Sequence, residues 1–370
     1  MPKPIVCLSE QLSQFLEAFR PCFRKRQWKY FVTILLGMIE CEERKTMTGL
    51  LRVVGERISL SGLSRFLSKW PWSAAEVTQT WLLRFRQRLE GLVQAEQDRL
   101  KAERPKSIGR PKATVVTGYL IFDDSVHSKP KGRKMGGLGQ HYSNTDQRVV
   151  SGHCLFTGLY ILLGQRCPLE AQMYRQKSVC QQEGVPFQSK IDMAVKQIEG
   201  FEPVTGTHTH VLIDNWYHCK QVRRAAQKRG WDVSGGLKSN RVMCRIATDG
   251  NREWLKLSEY ASGLGRDDWQ VDILAVRWHI ETFFEYNKDL LGSDHYQLMT
   301  SQAILRFWTL TACLMCFLEE QRAISHPRLS TCGDARRKIQ DEQRRNLLRW
   351  LKEQFQAGRT IEQVSVQLAL

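Results

Sequence analysis

Hydrophobic periodicity changes once along this chain, across residues 103–112, and that change limits what the chain can fold into. Before it, apolar residues recur at helical spacing, as in Phe15, Phe19, Phe31, Leu35 and Ile39. After it, β-branched and aromatic runs alternate with helical segments. The stretch between, ERPKSIGRPK, is basic and holds two prolines and a glycine, the composition of a linker. The pattern predicts an all-helical domain over 1–105 and a basic linker at 106–112. An α/β domain over 113–325 and a helical segment at 326–370 complete the division. A chain of 370 residues, at about 150 per domain, suits it.

Charge is distributed as unevenly as periodicity. The whole chain carries 55 Lys and Arg against 38 Asp and Glu, a net +17. Residues 1–112 hold 21 of those cations against 11 acids. A basic excess of this size suits a polyanionic partner such as nucleic acid. Within the basic region, TGLLRVVGERISLSGLSRFLSKWPW at 48–72 contains two short helical patterns broken at Gly55 and Ser59–Ser61. That arrangement can place a basic helix in a DNA groove. Residues 77–103 read as one long amphipathic helix.

The α/β part opens with ATVVTGYLIF at 113–122, a strand pattern ending in Asp123-Asp124. A basic, glycine-rich loop follows, with Lys129, Lys131, Arg133 and Lys134. VVSGHCLF and GLYILLG are separated by a short break and predict a hairpin. Helical spacing returns at 188–200, and HTHVLID at 208–214 is a strand ending in Asp214. A helix at about 217–229, a strand at 231–239 and a helix at about 271–291 follow. Strands alternating with helices predict a mixed sheet with helices on both faces.

Two apolar strands that each end in aspartate would project carboxylates into the crevice where such sheets bind ligands. The last helix, ILAVRWHIETFFEYNKDLLG, supplies a third carboxylate. Its Arg277, Glu281 and Lys288 are spaced by 4 and 7, which puts them on one stripe of an α-helix. Three carboxylates suit Mg²⁺ or Mn²⁺, which prefer hard oxygen ligands. Two such ions can serve phosphoryl transfer, with the nearby cations facing the substrate's charge. Other groupings point elsewhere. His208, His210, His218 and Cys219 lack paired zinc spacing, and Cys313 and Cys316 sit in an apolar helical stretch. The eleven scattered cysteines suit reduced thiols. The longest apolar runs fall short of a bilayer span, and the N-terminus lacks a signal-peptide pattern. A soluble cytoplasmic protein without a membrane partner is the expectation.

These segments resemble bacterial insertion-sequence transposases of the Asp-Asp-Glu class, which carry an RNase-H-like catalytic domain. Arg277, Glu281 and Lys288 match that family's spacing on the glutamate helix, with Leu274 where the family has tyrosine. IFDDS resembles the first-aspartate strand, VLIDNWY the second, and KSNR at 238–241 the end of the next. The resemblance implies an RNase-H-like mixed sheet flanked by helices and preceded by a helical DNA-binding domain. It implies Asp123, Asp214 and Glu281 as holders of two Mg²⁺ ions, which Mn²⁺ can replace. Asp123 precedes Ser125 in the family's pattern, and Asp124 stays open as the alternative first aspartate. Arg277 and Lys288 would contact DNA phosphates near the cut.

The implied activity is cleavage of double-stranded DNA at the element's terminal inverted repeats, then strand transfer to target DNA. The acting form would be a homodimer assembled on DNA, associated with the nucleoid. The family's β insertion before the glutamate helix is compressed here into about 242–270. Two other readings stay open: an RNase-H-like nuclease without strand transfer, and a catalytically impaired DNA-binding derivative.

Overall fold

A computed structural model describes residues 8–55, 58–103, 115–236, 242–246, 250–262 and 272–368. The linker at 106–112 and part of the 242–270 region lie outside the described residues. The N-terminal part is helical: α1 (Glu10–Glu17), α2 (Lys25–Glu40), α3 (Met47–Val53), α4 (Leu60–Ser68) and α5 (Ala74–Ala102). Ser9, Thr46, Ser59 and Ser73 cap α1, α3, α4 and α5, each accepting a backbone N–H of the first turn.

The α/β part follows in the order β1 (Thr117–Ser128), β2 (Gly139–Ser143), β3 (Arg148–Leu162), β4 (Gln165–Pro168), β5 (Gln172–Tyr174), α6 (Lys177–Glu183), α7 (Lys190–Gly200), β6 (His208–Ile213), α8 (Lys220–Lys228) and β7 (Asp232–Gly235). A small hairpin of β8 (Val242–Ile246) and β9 (Arg252–Lys256) leads through α9 (Leu257–Ser262) toward α10 (Asp272–Glu285). A π-helical turn at Tyr286–Leu290 extends α10, before α11 (Ser301–Ile324), α12 (Cys332–Gln356) and α13 (Ile361–Gln367).

The main sheet has the order β2-β3-β1-β6-β7, with β4 and β5 also pairing with β3. β3 runs antiparallel to β1, whereas β6 and β7 run parallel to it. An antiparallel half continued by two parallel strands, with helices on both faces, is the mixed sheet the sequence predicts and the RNase-H-like arrangement the resemblance implies. Two local expectations are corrected. VVSGHCLF and GLYILLG are not the arms of a hairpin but one 15-residue strand. The glycine that opens the second run, Gly158, marks a close approach instead of a turn. A Cβ there would lie 2.8 Å from Gln197 Oε1 and 2.9 Å from the Phe122 ring. β1 also runs past Asp123 and Asp124 to Ser128, so neither aspartate ends it.

One continuous apolar core extends from α1 through the sheet to α12. Its centre is α11, which is apolar nearly all round and touches α2, α4, α5, α12, β4 and β5. By length and composition α11 could cross a membrane, but most of it is buried inside the fold. Its polar residues are tied to the surrounding elements. Glu320 pairs with Arg84 of α5 at 2.6 Å, and Glu319 with Arg322 at 3.0 Å and with Arg166 of β4. Arg306 donates to the carbonyl oxygens of Leu67 and Trp72.

Glu319→Ala leaves Arg166 and Arg322 charged and unpaired, and should lower unfolding free energy by about 3–5 kcal/mol. A urea titration measures this; a loss of less than about 1 kcal/mol would place the pair among weak surface bridges.

Candidate active site

The site forms where β1 and β6 part. Their ladder ends at the pair Ile121–Leu212, so Asp123 and Asp214 stand level, two residues further along neighbouring strands. The loop after β6 fixes the second carboxylate: Asp214 Oδ1 accepts the backbone N–H of Trp216 at 2.8 Å and of Tyr217 at 2.9 Å.

α10 brings the third carboxylate. Ile280, Phe283 and Phe284 are buried and hold the helix against the core, which leaves Glu281 at the edge of the site. Arg277 Nη1 lies 3.6 Å from Asp123 Oδ2 and 3.7 Å from Glu281 Oε1, so the two carboxylates stand one guanidinium apart. The Asp123 carboxyl is pushed up to about 8, first by burial and then by the charges of Asp124, Glu281 and Asp214. The structure thus brings together Asp123, Asp214, Glu281 and Arg277.

Asp124 has a different environment, because successive strand residues point to opposite faces. Its Oδ2 accepts from Lys190 Nζ at 2.7 Å and Cys154 Sγ at 3.2 Å, and its Oδ1 from Tyr217 Oη at 2.8 Å. Burial and the Asp124 charge both raise the Tyr217 hydroxyl, so it stays a donor. Asp124 is engaged on the α7 face, while Asp123 faces Arg277. Sequence reading missed Lys190, Tyr217 and Cys154. Tyr217 lies in the VLIDNWY segment, but nothing in the sequence marks it as a partner of Asp124.

Among the described residues, no three His, Cys, Asp or Glu side chains stand close enough to share one metal ion. The donor set nevertheless fits a divalent cation, since it is all carboxylate and its like charges raise Asp123. The histidines that lack zinc spacing have other partners: His208 meets Asp232 at 2.8 Å, His210 meets Ser234 at 2.9 Å, and His218 meets the Gly236 carbonyl at 3.1 Å. Cys313 and Cys316 belong to α11, and all described cysteines are free thiols.

The basic side chains separate into two groups. Lys131, Arg133 and Lys134 are exposed. Lys129, expected to contact DNA, is instead buried, and this corrects that expectation. Its ammonium donates to the carbonyl oxygens of Asp294 and Tyr296 and lies 3.8 Å from the Tyr296 ring centre. Burial lowers it to about 8. Lys288 donates to the Val126 carbonyl at 3.2 Å. It lies in the π-helical turn, so the ideal α-helical stripe shared with Glu281 does not persist to it.

The site is thus a pair of side-by-side aspartates on the sheet facing a helix-borne glutamate. The chain belongs to the DDE superfamily of endonucleases: that family, described as "DDE superfamily endonuclease", matches residues 18–252, more than half of the chain. A second family, "Transposase DDE domain", matches residues 188–317. Among solved structures, the cryo-EM structure of the piggyBac transposase synaptic complex with hairpin DNA aligns with 93% of this chain and 79% of its own. The identity is 10% and the TM-score 0.41, too slight a likeness to add to the reading. No curated protein matches the chain.

A pH dependence follows from the segment beyond the site. His153 accepts the Tyr296 hydroxyl at 2.8 Å through Nδ1 and meets the Gly136 carbonyl at 3.1 Å through Nε2. Burial holds it at about 4, below the ordinary 6.5. A histidine kept neutral in the fold takes up a proton on unfolding, so its contribution is whole above about pH 6.5 and is lost as pH falls toward 4. Urea midpoints should therefore drop between pH 7.5 and pH 5, and His153→Gln should flatten part of that drop. Wild-type midpoints constant over this range would contradict the assignment.

Proposed function

We propose that the chain is a DNA transposase that cleaves double-stranded DNA at the terminal inverted repeats of its element and joins the freed ends to target DNA. The observation that carries this is the meeting of Asp123 and Asp214 at the strand fork, with Arg277 linking Asp123 to Glu281. Asp123, Asp214 and Glu281 would hold two Mg²⁺ ions, with Mn²⁺ able to replace them. When bound, the ions activate the attacking oxygen and stabilise the leaving one.

The protein's own groups prepare that chemistry. Asp214 is held by two backbone N–H groups and so keeps a fixed direction. Glu281 is more exposed than Asp123 and lies on a helix, where a small shift brings it toward that aspartate. Arg277 lies between them and would turn to a DNA phosphate once the carboxylates are neutralised. Lys288, anchored to β1, holds the end of the glutamate helix to the strand that carries Asp123. The basic N-terminal helices, with α3 and α4 at the predicted helix–turn–helix, would read the repeats. Two copies would act together on paired ends.

The test is a plasmid carrying the gene with its flanking DNA, incubated with purified full-length protein in Mg²⁺ or Mn²⁺. Wild type should cut at the borders of the element and join them to a second plasmid. Asp214→Ala and Glu281→Ala should each lower cleavage by about 10²–10³-fold or more, with DNA binding kept, the scale on which losing one electrostatic stabiliser acts. Cutting in EDTA, or normal rates in both variants, would refute the mechanism. Cutting without joining would leave the nuclease reading.

A further inference from the structure

Beyond the carboxylates, β1 ends at a groove of about 700 Å³. Its lining includes Arg44 from the loop after α2, and Lys131, Arg133 and Lys134 from the loop after β1. No described Asp or Glu lines it. Two independent parts of the chain therefore supply cations to one concave surface. The floor is fixed by the buried Lys129, whose ammonium ties the end of β1 to the carbonyl oxygens of Asp294 and Tyr296. Gly136 N–H, donating to the Met299 carbonyl at 2.8 Å, closes the same loop onto the segment before α11. Lys45 N–H, donating to His295 Nδ1 at 3.1 Å, seats the Arg44 loop against it.

The groove is not part of the cutting site. Ser128, on its rim, lies five residues along β1 from Asp123, or about 17 Å at the rise of a strand. In duplex DNA that length corresponds to about five base steps. Cations gathered on a pinned loop, in a groove that no described carboxylate lines, suit a run of backbone phosphates and carry no sequence preference.

We infer that this groove, built jointly by Arg44 and the 131–134 loop, clamps the phosphate backbone of the duplex flank about five base steps from the bond being cut. The inference rests on the transposase reading and adds a second, separate DNA contact to it. The scissile phosphate falls to Arg277; the groove holds the neighbouring duplex.

The experiment uses the full-length protein and a fluorescein-labelled 30-base-pair duplex of mixed sequence in Ca²⁺ buffer, with the dissociation constant measured against salt. Arg44→Gln, Arg133→Gln and Lys134→Gln combined should reduce the log–log salt slope by about 2–3, near one for each phosphate left without its cation. Removing three exposed cations on α8 (Arg223→Gln, Arg224→Gln and Lys228→Gln) should leave it unchanged. Equal reductions in both triple variants, or none in the groove variant, would overturn the clamp. Adding Arg277→Gln to the groove variant tests the separation. Affinity reductions that multiply are expected of independent sites, whereas a smaller combined reduction would put both on one phosphate and overturn the flank assignment. A wild type that binds no duplex at any salt would overturn the transposase reading itself, and the clamp with it.

Discussion

The fold depends on carboxylates that are carried into its interior. α11 is touched by the N-terminal helices, the sheet and α12 alike, and it brings Glu319 and Glu320 into that junction. Buried charges are costly unless paired, so guanidinium groups must reach that junction with them. α5 supplies Arg84, β4 supplies Arg166, and α11 itself supplies Arg322. Arg336 of α12 adds a further link, donating to the carbonyl oxygens of Ile39 and Cys41 at the end of α2. Apolar contact alone would let these helices slide; paired charges at the junction give each one a single seat.

Much of this architecture was legible wherever one local rule decided the outcome. The strand at 208–213 and the helices at 190–200 and 220–228 follow from periodicity, and they appear where the pattern put them. Arg277 and Glu281 share a helix face because a spacing of 4 is one turn, and the structure joins both to Asp123. Where tertiary contact overrides local pattern, sequence reading fell short. Gly158 resembles a turn but is required by the nearness of Gln197 and Phe122. Lys129 resembles its exposed neighbours Lys131 and Arg133, yet two carbonyl oxygens more than 160 residues away draw it inside. The change of texture at 103–112 marks a change of secondary structure, while the apolar core runs on through both parts.

The candidate site shows how similar residues acquire different roles. Asp123 and Asp124 are chemically identical and adjacent. Asp124 meets an ammonium, a phenol and a thiol, and becomes a structural acceptor. Asp123 meets one shared guanidinium and three other carboxylates, and is left in a state that a divalent cation would relieve. The network around Asp124 also steadies the active-site loop, because Tyr217 donates its hydroxyl to Asp124 and its backbone N–H to Asp214.

That pairing of neighbours has a consequence for how such a gene can change. Side chains on a strand alternate with a period of two, so gaining or losing one codon between Thr117 and Phe122 would turn the two aspartates over against their fixed surroundings. A gain would carry Asp123 into the place that faces Lys190 and Tyr217, and a loss would carry Asp124 into the place that faces Arg277. Neither amino acid would have been substituted, and the composition of the site would read the same. Variation in the length of this short stretch is therefore closed to the lineage in a way that variation in its apolar side chains is not.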